Sequence, residues 1–315
     1  MKIIITGALG HIGSKLIREL SINFEGCEIL MLDNLASQRL PSLFELPKSG
    51  NYRFIQCDVA KDKISNYIEG ASVVIHLAAL TDAAGSFDRA DEIEKINFSA
   101  TQNVSKACIE MNIPMIMASS TSVYGTQNEI VDEFCSTEDL KPQSPYAESK
   151  LKEESLIKDM VEKENLKAII FRFGTIFGVS AGMRFHTAVN KFCWQAVMGQ
   201  KLTVWETALD QKRPYLHLDD CVGAISFAIR ENLFDGQIYN VVSKNCSVRD
   251  VIDTIKDYIP DLEIKLVEHK IMNQLSYEVL SSRLEEKGFT SKNELRSGIH
   301  DTISMLQNSN NANSH

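Results

Sequence analysis

The chain has 315 residues, of which 44% are hydrophobic and 24% charged, a composition that fits a soluble globular protein with a large core. Its net charge of −9 argues against nucleic acid or an anionic membrane surface as the main partner, so an anionic ligand has to meet local basic residues. No stretch approaches the ~18 consecutive apolar residues of a membrane span, and the N-terminal apolar run is too short for a secretory signal.

A short apolar strand over residues 2–6 runs into Gly7, Gly10 and Gly13, with His11 and Ile12 between the last two, and a helix-like stretch follows. Gly7 allows a tight turn, Gly10 lets the backbone approach a pyrophosphate, and Gly13 lets the helix pack close to the sheet with its N-terminus aimed at the anion. A second apolar run, 28–32, leads to Asp33 and Asn34. An acid 20 residues beyond Gly13 suits an adenosine ribose with free hydroxyls, which predicts NAD rather than NADP. Further buried strands are predicted at 52–57, 73–78, 114–119 and 168–173, all rich in Ile, Val or other apolar residues. The clearest helix, 91–111, carries Ile93, Ile96, Ala100, Val104, Ala107 and Met111 at spacings of three or four.

Such alternation implies an α/β fold: a Rossmann-type doubly wound parallel sheet, with its ligand beyond the carboxyl ends of the strands. After Phe173 the rhythm breaks into a loop, a helix at 184–198 and a short run at 202–205. Segments 215–218 and 237–242 read as strands rejoining the sheet, and 248–259, 264–267 and 294–306 alternate again in smaller pieces. We therefore expect an NAD-binding domain over 1–173, continued by 213–243, with a smaller interleaved α/β substrate lobe over 174–212 and 244–306. The Asn/Ser-rich tail, 307–315, is expected to be disordered. Seven cysteines without a Cys-x-x-Cys predict free thiols in a reducing, cytoplasmic compartment, with Cys57, Cys108 and Cys193 in the core. The seven histidines show no metal-ligand spacing, so no metal is expected, and His76 and His217 read as core residues.

The strand before Ser120 ends in Ser119-Ser120-Thr121-Ser122-Val123-Tyr124-Gly125. Further on, Ser144 suits a helix N-cap and Pro145 a first helical residue, which places Tyr146 and Lys150 one turn apart on one face. A phenol of pKa about 10 must fall to about 7 to act as a base near neutral pH, a change worth about 4 kcal/mol. The ammonium one turn away and a bound nicotinamide cation together are expected to supply it.

With these motifs the chain resembles the extended short-chain dehydrogenase/reductase family, the nucleotide-sugar epimerases and dehydratases. The likeness covers residues 1 to 300 and rests on the glycine turn, Asp58-Val59, His76-Leu77-Ala78-Ala79, Asn97, the Ser120 segment, Tyr146-x-x-x-Lys150 and Arg172-Phe173-Gly174. The resemblance implies that Asp58 and Val59 lie against adenine and that Leu77, Ala78 and Ala79 line the dinucleotide, with Asn97 also in the cofactor site. It implies that Lys150 holds the nicotinamide ribose, Ser120 hydrogen-bonds the reacting sugar oxygen and Tyr146 is the acid/base. Arg213 matches the arginine that grips the diphosphate of a nucleotide-diphosphate sugar, as a guanidinium fork suits phosphate oxygens. Thr81, Thr121 and Thr175 are further substrate candidates, as are Arg184 and Asn190, for which a structural role is the alternative.

Two positions narrow the reaction. Sugar 4,6-dehydratases of this family carry Asp and Glu after the Ser120 equivalent, where this chain has Thr121 and Ser122. A neutral pair fits a 4-epimerase working through a transient 4-keto sugar. The alternatives are a nucleotide-sugar 4-dehydrogenase or 4-ketoreductase, and a non-catalytic NAD-sensing scaffold. Thr175 stands where many members have Asn, and His11 replaces a usual aromatic, which leaves the sugar open. The resemblance also implies a homodimer built through the helices carrying Asn97 and Tyr146.

Overall fold

A computed structural model of the chain describes residues 1–81, 89–125, 129–136, 138, 140–268 and 276–311, with side chains as far as residue 308. The first half runs β1 (Lys2–Thr6), α1 (His11–Asn23), β2 (Glu28–Asp33), β3 (Asn51–Gln56), α2 (Ser65–Ile68), β4 (Val73–His76), α3 (Ala90–Glu110) and β5 (Met115–Ser120). It continues with β6 (Ile130–Val131), α4 (Pro145–Glu164), β7 (Ala168–Phe173), β8 (Thr175–Phe177), α5 (Ala188–Val197), β9 (Leu202–Trp205) and β10 (Lys212–His217). The last part holds α6 (Leu218–Arg230), β11 (Ile238–Val241), β12 (Lys244–Ser247), α7 (Val248–Lys256), β13 (Ile264–Val267), β14 (Glu278–Val279), α8 (Ser282–Glu286) and α9 (Leu295–Asn311).

Seven parallel strands form the main sheet in the order β11-β7-β5-β4-β1-β2-β3. Alternate residues of each strand feed opposite faces, as the two-residue period requires. Ile3 and Ile5 join Leu16, Ile17 and Leu20 of α1 and Ala224, Ile225 and Ala228 of α6 in one core. Ile4 faces the other way, with Val104 and Cys108 of α3 and Ile157 and Met160 of α4. Helices therefore cover both faces, the doubly wound arrangement. The order reverses between β1 and β4, and at such a reversal the strand ends part to leave a crevice.

The segment 215–218 does not rejoin that sheet. The strand there is β10, which lies between β12 and β8 in a separate three-stranded sheet, and Leu218 already begins α6. An apolar run specifies burial but not its partner. Only β11 returns, beside β7. The helix expected from Arg184 starts at Ala188, after Thr187, so residues 184–187 form a bent loop leading into it. A further core holds Phe192 and Cys193 of α5, Val251 and Ile255 of α7 and Ile299 and Ile303 of α9. The helix α9 carries the chain through Asn311, so 307–311 are helical rather than disordered, while 312–315 lie outside the described residues. Cys57, Cys108 and Cys193 are buried as expected, and neither they nor Cys27, Cys221 and Cys246 form a disulfide.

Candidate active site

A cleft of about 530 Å³ opens along the carboxyl ends of β1, β2, β4 and β5. At one end stands the glycine turn. Gly7 has φ +65°, and a Cβ there would lie 2.8 Å from the Ala78 Cα; one on Gly13 would lie 2.6 Å from the carbonyl oxygens of Gly7 and Ala8. Neither position has room for a side chain, so the backbone itself forms the cradle for an anion. Gly10, His11 and Ile12 line the same end. Asp33, at the tip of β2, accepts the Leu9 amide at 3.1 Å and the Leu35 amide at 2.9 Å, which fixes its carboxylate on the cleft wall with lone pairs to spare for ribose hydroxyls. Asn34, Asp58, Val59, Leu77, Ala78 and Ala79 also line it.

Asn97 does not. It is wholly buried, its Oδ1 accepts the Leu80 amide at 2.8 Å, and its Nδ2 donates to the Leu80 carbonyl and to Ser149 Oγ. Its place in the site is to clamp the loop after β4.

At the other end of the cleft, the Ser144 hydroxyl caps α4 by accepting the Ala147 amide at 3.2 Å, with Pro145 in the first turn as predicted. Tyr146 and Lys150 then face the cleft from one side of the helix. Ser120 stands opposite, at the end of β5. Its Oγ accepts from both the Ser122 amide (3.2 Å) and the Ser122 hydroxyl (2.9 Å), which leaves its own proton free to turn into the cleft toward Tyr146. Ser122 was not foreseen as a site residue; a serine two positions after a strand-end serine is the signal that was there.

Burial pushes the Tyr146 phenol above its ordinary range, and the Lys150 ammonium only partly pulls it back. Burial also works against the Lys150 charge, but Glu153, with help from Tyr146 and Glu154, outweighs it and holds the proton on. The lysine is 3% exposed and its Nζ donates to Glu153 Oε2 at 3.0 Å. The expected acidity of the phenol is therefore not supplied by this chain alone.

Of the expected substrate contacts, Thr81, Thr175 and Arg184 line the cleft, and Arg184 donates to Thr81 Oγ1. The bent loop before α5 brings Arg184 and His186 there. Thr121, Asn190 and Arg213 are not among the lining residues. Thr121 is buried and donates to the Phe173 carbonyl at 3.3 Å. Asn190 is wholly buried, with its amide accepting from Gly178 N–H and donating to the Arg184 carbonyl, which is the structural alternative. Arg213 lies over the Tyr277 ring and donates to Gln211 Oε1 at 2.9 Å. Arg39 was missed: it lines the cleft from the loop after β2 and donates to the Gly182 carbonyl at 2.9 Å. Among the described residues, no group of three His, Cys, Asp or Glu side chains is placed to hold a metal, and no helix is long and apolar enough to cross a membrane.

Two buried histidines bear on stability: His11 lines the cleft, and His76, at the end of β4, lies outside its lining. Burial lowers His11 to about 4, against the pull of its Gly178 carbonyl partner, and lowers His76 to about 3, with Lys150 adding to the effect. Unfolded, both would take up protons near pH 6.5. Their stabilising contribution is thus complete above that value and is lost as pH falls below it. From pH 7 to pH 5 the two together are expected to cost about 4 kcal/mol. Urea unfolding at the two pH values checks this, and equal midpoints would refute it.

The doubly wound sheet, the glycine cradle with its acid, and the Ser-Tyr-Lys set define a dinucleotide-dependent enzyme of the short-chain dehydrogenase/reductase class. Residues 3–241 match the NAD dependent epimerase/dehydratase family, and the chain belongs to it. It is 29% identical over 266 residues to YtcB of Bacillus subtilis (strain 168), described as an uncharacterized UDP-glucose epimerase, with 82% of each chain covered. A trifunctional UDP-glucose 4,6-dehydratase/UDP-4-keto-6-deoxy-D-glucose 3,5-epimerase/UDP-4-keto-L-rhamnose-reductase of Arabidopsis thaliana is 27% identical over 314 residues; the match covers 96% of this chain but spans only 46% of that protein. The crystal structure of UDP-glucuronic acid 4-epimerase from Bacillus cereus, in complex with UDP-glucuronic acid and NAD, shares the fold with a TM-score of 0.89 and 23% identity, covering 98% of this chain and all of that one.

Proposed function

We propose that the protein is an NAD-dependent nucleotide-sugar epimerase that inverts C4 through a transient 4-keto intermediate. The observation that carries this reading is that Ser120, Tyr146 and Lys150 line the same cleft as the glycine cradle and Asp33. Tyr146 takes the C4 hydroxyl proton, and Ser120 holds that oxygen in line. NAD, when bound, supplies the hydride acceptor and later the donor. Lys150 stabilises the phenolate and holds the nicotinamide ribose. Asp33 and Asn34 receive the adenosine ribose, Asp58 and Val59 the adenine, and Gly7, Gly10, His11 and Ile12 the pyrophosphate, with Leu77 to Ala79 along the dinucleotide.

Thr81, Thr175 and Arg184 are assigned to the sugar, and Arg213, which lies outside the cleft lining, is assigned to the diphosphate on the resemblance alone. Thr121 and Ser122 offer no carboxyl group for water loss, which supports epimerisation over 4,6-dehydration. We assign the cofactor to 1–173 with β11, and the substrate to 174–212 and 244–306. Buried cysteines that form no disulfide, among them Cys57, Cys108 and Cys193, favour a reducing, cytoplasmic setting, and a homodimer through α3 and α4 is carried over from the resemblance.

Turnover of a C4-deuterated nucleotide sugar tests the reaction. The expected product is the C4-inverted sugar with deuterium retained at C4. Release of a 4-keto sugar, or loss of the label, would favour the 4-dehydrogenase or ketoreductase reading.

A further inference from the structure

Lys150, Glu153 and Glu154 sit in a run of charged residues, Lys150-Leu151-Lys152-Glu153-Glu154, yet all three are buried to within 3%. Glu154 is engaged elsewhere, by Arg172 and Ser119. Glu153 has a different surrounding. Its Oε2 accepts from Lys150 Nζ at 3.0 Å and from Thr101 Oγ1 of α3 at 2.7 Å, and its Oε1 accepts from Ser149 Oγ at 3.1 Å.

Thr101, having given its proton to Glu153, accepts from His76 Nε2 at 3.2 Å. His76 Nδ1 then accepts from Thr6 Oγ1 at 2.8 Å, and Thr6 accepts the Ala78 amide at 3.2 Å. All four bonds point one way, from the dinucleotide end of the cleft to the carboxylate. A carboxylate held at so many points is a fixed charge, and it lies against the ammonium on which the phenol depends.

We propose that Glu153 is a positioning residue that pins the Lys150 ammonium and offsets its charge, so that Tyr146 stays a neutral phenol until a further positive charge enters the cleft. The inference rests on Tyr146 being the base of the proposed reaction. The charged groups facing the phenol are Lys150 and Glu153 from α4 and Arg184 from the approach to α5, with the Ser120 hydroxyl from β5; Lys150 also feels Glu154. Burial and Glu153 favour the neutral phenol, and Lys150, Arg184 and Ser120 oppose them. Base strength is then conditional: the site deprotonates alcohols only when an oxidised nicotinamide adds its charge, so an empty cleft does not carry an exposed phenolate.

Tyrosine labelled with 13C at Cζ reports this by NMR, with the Tyr146 signal assigned as the one missing from Tyr146→Phe. In the nucleotide-free protein the Tyr146 midpoint is expected at or above the ordinary value of about 10. In Glu153→Gln it is expected to fall by about one pH unit or more, while Glu153→Asp stays near the unaltered protein. A midpoint in Glu153→Gln that is unchanged or higher overturns the proposal. If that variant does not fold, the unaltered chain decides. A nucleotide-free phenol already titrating below about 9 overturns the idea. A phenol that becomes acidic on adding NAD but not NADH supports it. The titration requires no turnover, so it stands apart from a failure to find C4 epimerisation.

Discussion

Tyr146→Phe is expected to lower turnover by about 10²–10⁴-fold, the usual contribution of a positioned acid/base, while leaving NAD affinity nearly unchanged. The substitution removes one oxygen and keeps the ring, so α4 and its Ser144 cap should be undisturbed. What is lost is the hydroxyl proposed to exchange a proton with the sugar, opposite Ser120 on the cleft wall. Calorimetric titration with NAD and a product assay on the same preparation check both halves. Unchanged turnover would remove Tyr146 from the mechanism. Lost NAD affinity with a folded protein would make its role one of binding.

Arg172→Leu is expected to destabilise the fold by about 3–5 kcal/mol. Arg172 donates to Glu154 through Nε at 2.9 Å and Nη2 at 2.6 Å, a two-pronged contact, and through Nη1 to the Tyr124 hydroxyl at 2.9 Å. Ser119 adds a bond to the same carboxylate at 2.6 Å. The pair is almost fully out of water, so removing the guanidinium strands a buried carboxylate. The double variant Arg172→Leu, Glu154→Leu should recover much of the loss, because two apolar groups leave no charge to solvate. Urea midpoints for the two variants decide it; a single-variant loss under about 1 kcal/mol would mean that water reaches Glu154. Since Ser119 precedes Ser120 on β5, turnover should fall in both variants through misplacement of the hydroxyl.

Much of this was readable from the chain because it is governed by local rules. The glycine turn, Asp33 beyond it, and the Ser144-Pro145 helix start each follow from steric or capping requirements that act over a few residues. So do the buried strands β1, β2, β4, β5 and β7. What was not readable depends on packing between distant segments. Segment 215–218 is as apolar as any core strand, and nothing local says that β8 and β12, not β7, lie beside it. Asn190 and Asn97 are amides that suit a ligand as well as a backbone clamp, and only the neighbouring carbonyls and amides decide. Lys150, Glu153 and Glu154 lie in a stretch that looks like a solvated helix face; Thr101 of α3 meets Glu153, and Ser119 of β5 with Arg172 of β7 meets Glu154, which is why the offset to the phenol's acidity was out of sight.

The return of β11 to the main sheet has a consequence for how such a chain can change over generations. Between β7 and β11 the polypeptide builds β8, α5, β9, β10 and α6, so no single cut divides one lobe from the other. A fragment ending at Phe173 would leave β7, whose six residues are all buried, as a bare edge ready to pair with a foreign strand. One genetic crossover therefore cannot exchange the segment between β7 and β11 and keep the sheet whole; that takes two exchanges made together.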